Sequence, residues 1–336
     1  MPSPKALPFS LDPLDPNFVM AKPKNSVAES KILNLETAGN LSITRKRDGY
    51  CHLVAGSNSS VKIYTRGIED VTAKYPHIVH EISSMEIPFP FLLGAEILFD
   101  NCGKDEFEKL TRIAKSGNSA AVKLQEEIGF AVAMIFGVIV FGGKIVSLQT
   151  HQERFDLIAR IFSQLDFRPT YAYPLEVLGC SFKKAKSLVK EKKWEGLVLY
   201  DKTKPSAFRL DGKSNQPPRP EGCWKWKPKF EDDFIAVGWI PGSKGKKHQH
   251  RMGKLKLAQL DARTGKMVSC GEVGIGFSDK DREILVDDSL YPWVAQVEFQ
   301  ERFSSGKLRF PSFVRRRIDK RPEECLLPVE TERDEE

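Results

Sequence analysis

The stretch LSITRKRDGYCHLVAG, residues 41–56, decides how the chain is read. Its two ends have the composition of β-strands, and the basic, turn-forming tetrapeptide Lys46-Arg47-Asp48-Gly49 lies between them. Working outward, SVKIYTRG (60–67) and PFLLGAEILFD (90–100) also read as strands. Residues 104–129 have helical spacing broken near Ser116-Gly117-Asn118. AVAMIFGVIV (131–140) is a continuous apolar run that suits a buried strand. Helical spacing returns from Gln149 to Leu165 and from about Ser181 to Lys192, and the strand GLVLY (196–200) follows. A polar, Pro-containing loop is expected at 212–222.

Beyond it the pattern becomes all-β. FIAVGWI, KLKLAQLDA, GKMVSCGEVG, WVAQVEFQERF and KLRFPSFVRRR are five short strands with turns between them, which fits a small OB-like barrel. The expected architecture is therefore α+β. A mixed domain over 1–229 precedes a small all-β barrel over 230–336 that ends in an acidic tail.

Composition limits the function classes. With 336 residues and a hydrophobic fraction of 40%, the chain can build roughly two cored domains. No run of about 18 apolar residues exists, so no membrane partner is expected. The Pro-rich start MPSPKALPFSLDPLDPNF lacks an apolar core and reads as an extended leader, not a signal peptide. The six cysteines show no CxxC spacing, which points to unlinked thiols in a reducing compartment. A net charge of +7, despite the acidic tail PVETERDEE, suits a polyanionic partner.

Lys46 offers definite chemistry. An unprotonated lysine amine can attack an α-phosphorus, and neighbouring cations such as Arg45 and Arg47 favour the free amine. On a strand, Glu96 is costly to bury without a partner. In Trp224-Lys225-Trp226-Lys227, alternation puts both lysines on one face, where they can meet one phosphate group.

With these segments in order, the chain resembles the covalent nucleotidyltransferase superfamily of DNA ligases, RNA ligases and capping enzymes. K-x-D-G there supplies the lysine that becomes nucleotide-linked. IYTRGIEDVTAKYPHI (63–78) resembles the S/T-R-x5-T-x-x-Y-P block, GAEILFD the G-E strand, and AMIFGVIVFGG the F-x-F-D-x-L strand. WEGLVLY resembles E-G-[VIL]-[VM], and WKWK the K-x-K block. LRFPSFVRRRIDKRPEE is similar to the last block of ATP-dependent DNA ligases, with Ser312 in place of an arginine, and VGIGFSD resembles another barrel segment of that family. Three further positions depart from the pattern: Cys51 and Gly137 stand where arginine and aspartate are usual, and Thr44 where glutamate often is.

The resemblance implies a sequence of three steps and a set of roles. Lys46, with Asp48 beside it, takes AMP from ATP, the AMP passes to the 5′-phosphate of a nick, and the 3′-hydroxyl displaces it. Thr44, Arg66, Glu96, Phe136, Lys225 and Lys227 would hold the nucleotide, with Phe136 stacked on adenine. Glu96 and Glu195 would hold Mg²⁺, with Mn²⁺ as an alternative. Arg317, Asp319 and Lys320 would act in the first step, which requires a hinge near 229–233. ATP is favoured over NAD⁺ because little sequence precedes Lys46 and no zinc spacing exists. The implied partner is nicked duplex DNA, met by a monomer in the cytoplasm of a bacterium or an infected host cell, without an added N-terminal DNA-binding domain.

Ser243–Lys256 holds five lysines, an arginine and two histidines with no acid, and reads as a loop between the first two barrel strands. Lys244, Lys246, Lys247 and Arg251, with Arg66, are the expected DNA contacts. Two alternatives stand beside the ligase reading: an RNA ligase or capping-type nucleotidyltransferase, and an inactive OB-containing nucleic-acid-binding protein.

Overall fold

The computed structural model describes residues 7–25, 27–58, 60–206, 208–210, 217–245, 247–303 and 305–328. The chain divides into two compact units, Met1–Lys227 and Pro228–Glu336.

Two sheets build the first unit. The larger runs through β2 (Tyr50–Ser57), β3 (Ser60–Thr65), β4 (Phe91–Leu98), β5 (Val132–Phe141) and β6 (Ala172–Pro174), in the order β6-β5-β4-β2-β3, with the short strand Lys144–Ile145 paired to β5. The smaller is β8-β7-β1, made by β1 (Leu41–Lys46), β7 (Gly196–Asp201) and β8 (Cys223–Trp226). The tetrapeptide at 46–49 therefore does not close a hairpin. It carries the chain from one sheet into the other, because β1 pairs with β7 while β2 pairs with β3 and β4.

Helices cover these sheets: α1 (Glu29–Thr37), α2 (Pro76–Ser83), α3 (Phe107–Lys115), α4 (Asn118–Ile128), α5 (His151–Ser163) and α6 (Phe182–Glu191). The break expected at 116–118 is where α3 gives way to α4. A reciprocal Thr150/Glu153 capping box starts α5, and the Ser181 side chain caps α6. Sequence periodicity did not reveal α1 or α2. Pro76 sits in the first turn of α2, and Ile78 and Ile82, four apart, bury one narrow face.

The start of the chain is more than a leader. Phe9, Leu11, Leu14 and Phe18 are buried against Leu53, Tyr64, Leu92 and Val140 on the larger sheet. Burying four such side chains contributes on the order of 1.5–3 kcal/mol each before ordering costs. Of the expected loop at 212–222, residues 211–216 lie outside the described residues.

In the second unit, β9 (Phe230–Pro241), β10 (Met252–Leu260), β11 (Met267–Val273), β12 (Trp293–Phe299) and β13 (Ser312–Arg317) run in the order β11-β10-β9-β12-β13. A bulge in β9 at Val237 and one in β10 at Gly253 curl the sheet around Phe234, Leu255, Trp293 and Val297. Its two edge strands do not form a ladder among the described residues. They approach through one bridge, Ile275 with Ser312, so the barrel is partly open. Nor is the unit all-β, since a Ser278/Asp281 capping box starts α7 (Asp279–Ile284). Of the segment 229–233, Phe230 to Asp233 pair with Phe299 to Gln296, and the residues between Trp226 and Phe230 lie outside strands.

The six cysteines are unlinked thiols. No helix of the described residues is long and apolar enough to cross a membrane.

Candidate active site

The end of β1 presents Lys46 directly opposite Gly196 of β7, so the side chain meets the residue before that strand. Lys46 Nζ lies 2.5 Å from Glu195 Oε2, and Lys227 Nζ lies 2.6 Å from Glu195 Oε1. One carboxylate thus holds two ammonium groups. Its side chain is 9% exposed, against 23% and 16% for the two lysines. Gly196 permits this approach, because a Cβ there would stand 2.2 Å from the Trp226 carbonyl oxygen. The same logic explains the last residue of K-x-D-G. A Cβ on Gly49 would stand 2.4 Å from the Ile97 carbonyl oxygen of β4.

Arg45 and Arg47 do not bring free charge to Lys46. Arg45 Nη2 lies 3.0 Å and Arg47 Nη2 2.7 Å from Asp105, and Arg47 Nη2 also lies 3.0 Å from Asp100. The Asp48 amide donates to the second Asp105 oxygen at 2.9 Å. Asp105 therefore fastens the crossing between the sheets, a role that sequence reading missed. Its partners lie 57 to 60 positions away along the chain, beyond any local pattern.

A cavity of about 730 Å³, within the usual size range of small-molecule sites, opens beside Lys46. The cavity is lined by Lys46, Thr44, Arg66, Glu96, Phe136 and Lys225 among the expected residues. Lys227 and Glu195 join them through Lys46. Three cations that sequence reading did not single out, Lys22, Lys74 and Arg219, line it too, so a polyanion fits its charge. Thr44 is fully buried and donates to the Val198 carbonyl at 3.4 Å, so its hydroxyl is already engaged. Lys225 is pushed below the ordinary lysine value by burial and by the nearby charges of Lys227 and Lys46.

Glu96 lies opposite Cys51 in the β2–β4 ladder. Burial pushes its carboxyl up to about 7, opposed by Lys46 and Arg66 and reinforced by Glu195 and Asp48. Cys51, where the resemblance expects arginine, is pushed up to about 11 by burial, while Arg66 beside it acts in the opposite direction. The Nε of Arg66 is buried without a hydrogen-bond partner. Phe136 has room to lie along the cavity because residue 94 is glycine: a Cβ there would meet the Phe136 ring at 3.1 Å. Among the described residues no group of three or more His, Cys, Asp or Glu is placed to hold a metal. Glu96 and Glu195 both act on Lys46, and two carboxylates are the donor set that Mg²⁺ takes when water and phosphate complete its shell.

The other expected residues belong to the second unit and form their own clusters. Arg317 grips Asp319 with two hydrogen bonds of 2.8 Å, and Arg317 and Lys320 both reach Asp233, at 3.1 and 3.0 Å. Asp319 is held down to about 2 by Arg317. Asp233 went unnoticed in the sequence. In the basic segment after β9, Lys247 pairs with Asp279 and Arg251 with Glu283, each at 2.7 Å. Those acids sit four apart on α7, so the segment is less positive than its own composition suggests. Lys244 is exposed, and Lys246 lies outside the described residues.

The chain is 28% identical to a DNA ligase of Archaeoglobus fulgidus over 331 residues, covering 88% of this chain and 54% of that one. It is 26% identical to a DNA ligase of Thermococcus fumicolans, covering 89% of this chain and 56% of that one. The chain thus spans about half the length of these relatives. A solved structure from a study of Lig E DNA ligases, described as binding DNA with a minimal scaffold, matches with a TM-score of 0.60 at 17% identity. It covers 89% of this chain and 99% of that one, a likeness of fold. The profile of the ATP dependent DNA ligase domain matches residues 19–216, which is more than half of the chain. The chain belongs to the ATP-dependent DNA ligase domain family.

Proposed function

We propose that this protein seals 5′-phosphate/3′-hydroxyl nicks in duplex DNA with ATP, through AMP carried on Lys46. The observation that carries this reading is the joining of Glu195 and Lys227 to Lys46, which lines a basic cavity together with Glu96, Arg66 and Phe136. Lys46 is the nucleophile. Lys225 and Lys227 neutralise the α-phosphate, Arg66 the nick or the AMP phosphate, and Phe136 stacks on adenine. Glu96 and Glu195 would hold Mg²⁺, which would supply charge stabilisation at the phosphates. For Lys46 to attack, its ammonium must leave Glu195 and lose a proton. Arg317 and Lys320, positioned by Asp233 and Asp319, orient the leaving pyrophosphate in this first step.

Mass spectrometry after incubation with ATP and Mg²⁺ should find one AMP, on Lys46. Nicked duplex DNA should be sealed in preference to nicked RNA. Arg317→Ala or Lys320→Ala should lose the adduct yet still seal a pre-adenylated nick. AMP on a different lysine, or preference for RNA, would overturn the assignment.

Lys244, Lys246, Lys247 and Arg251 are proposed to contact the DNA backbone. Changing all four to alanine should weaken nick binding and flatten its salt dependence. Each lost phosphate contact removes roughly one unit from the log–log slope. Because Lys247 and Arg251 are already paired with α7, the flattening should fall short of four units. A slope equal to that of the unaltered protein, at matched folding, would make the segment ordinary surface.

A further inference from the structure

Behind the nucleotide cavity, the first unit buries an arginine without a carboxylate. Arg154, in the first turns of α5, is 5% exposed and forms no ion pair among the described residues. Its Nη2 donates to His151 Nδ1 at 2.6 Å. Arginine only donates, so His151 is neutral and carries its proton on Nε2. Burial and the neighbouring Arg154 charge push this imidazole down to about 3, in agreement with that tautomer.

Of the remaining hydrogen-bonding groups, His151 Nε2 and Arg154 Nε can only donate, and the Ser147 hydroxyl can donate or accept. His151 Nε2, Arg154 Nε and the Ser147 hydroxyl are each buried with no hydrogen-bond partner. His151 and Ser147 are both 2% exposed. All three residues line one small cavity of about 60 Å³. A buried donor without an acceptor costs on the order of 1–3 kcal/mol, and a buried unpaired charge costs more. The His151 and Arg154 donors, the Arg154 charge and the Lys22 side chain that also lines the space call for an acceptor that carries a negative charge.

We infer that the cavity lined by Arg154, His151 and Ser147 is a binding site for one small inorganic anion, a halide. The volume admits a few water-sized bodies, which is room enough for a halide.

Gly137 on β5 explains why no side chain fills this role. A Cβ built there meets only Arg154 Nη1, at 4.0 Å, and the Gly137 backbone lies outside the left-handed region. A carboxylate on that Cβ would reach the guanidinium directly, so the anion stands where the chain lacks an aspartate. The neighbouring residue Phe136, together with Tyr200, lines both this cavity and the larger one, so the anion would stiffen a shared wall. The inference concerns binding and stability, and it does not depend on the proposed ligase activity.

The test is thermal unfolding of the full chain and of Gly137→Asp in sodium chloride and in sodium gluconate at matched sodium concentration. A ligand bound only by the folded state raises Tm with its concentration. For a unit of this size, the unaltered protein should melt about 3 °C higher in 0.3 M chloride than in gluconate. Gly137→Asp should melt higher than the unaltered protein in gluconate and gain nothing further from chloride. Equal Tm values for the unaltered protein in the two salts would overturn the inference, as would an undiminished chloride response in Gly137→Asp. Should that variant fail to fold, anomalous scattering from bromide-soaked crystals of the unaltered protein decides the matter. A bromide peak in contact with Arg154 supports the site, and its absence there overturns it.

Discussion

Lys46→Ala should end AMP attachment, cutting self-adenylation by at least about a thousandfold, because no other group takes over a deleted covalent nucleophile. The fold should survive. Glu195 keeps its 2.6 Å contact with Lys227 when Lys46 is removed, so no buried carboxylate is abandoned. Lys46 is itself partly exposed, and a Tm within about 2 °C of the unaltered protein is expected. A nick that already carries AMP should still be sealed, since that step needs no attack by lysine. Two assays on one preparation therefore divide the reaction: transfer of labelled AMP to protein, and sealing of a pre-adenylated nick. Loss of both at native Tm would mean that Lys46 acts in binding the nick as well. Retention of both would remove it from the chemistry.

How the sequence relates to this site depends on the range of each interaction. The strands at 41–46, 50–57, 60–65 and 91–98 were legible because alternation and turn residues are local properties. Lys46, Glu96 and Glu195 were legible because each stands in a short pattern that resembles a family block. That Lys46 and Lys227 share one carboxylate was not, since the pairing depends on β7 lying between β1 and β8. The same holds for Asp105. Reading Arg45 and Arg47 as cations that act on Lys46 seemed reasonable from adjacency. Through-space pairing to Asp105 and Asp100 commits them instead to holding the loop. In the second unit, the basic segment looked unopposed because its acids lie on α7, about 30 residues later. The Ser278/Asp281 cap of that helix is a local pattern, but six residues between strands are too few to show a helical period.

Glu195 should matter as much as the nucleophile, for a different reason. Its carboxylate neutralises two ammonium groups at once, and removing it leaves Lys46 and Lys227 side by side without a counter-charge. Breaking a buried pair by deleting one partner costs about 3–5 kcal/mol. The partial exposure of both lysines screens this, so about 1–3 kcal/mol is expected for Glu195→Ala. Glu195→Gln keeps the volume and hydrogen bonding but not the charge, and should fold with a smaller loss. If Glu195 only braced the lysines, Glu195→Gln would lower AMP transfer by the same factor at every Mg²⁺ concentration. If it also holds the cation, as proposed, the Mg²⁺ needed for half-maximal transfer should rise by roughly tenfold. Transfer at saturating Mg²⁺ should fall by about a hundredfold, the order expected when one electrostatic contact at the reacting phosphate is lost. An unchanged Mg²⁺ midpoint in a well-folded Glu195→Gln variant would confine Glu195 to the ion-pair network, and Glu96 would then have to hold the cation without it.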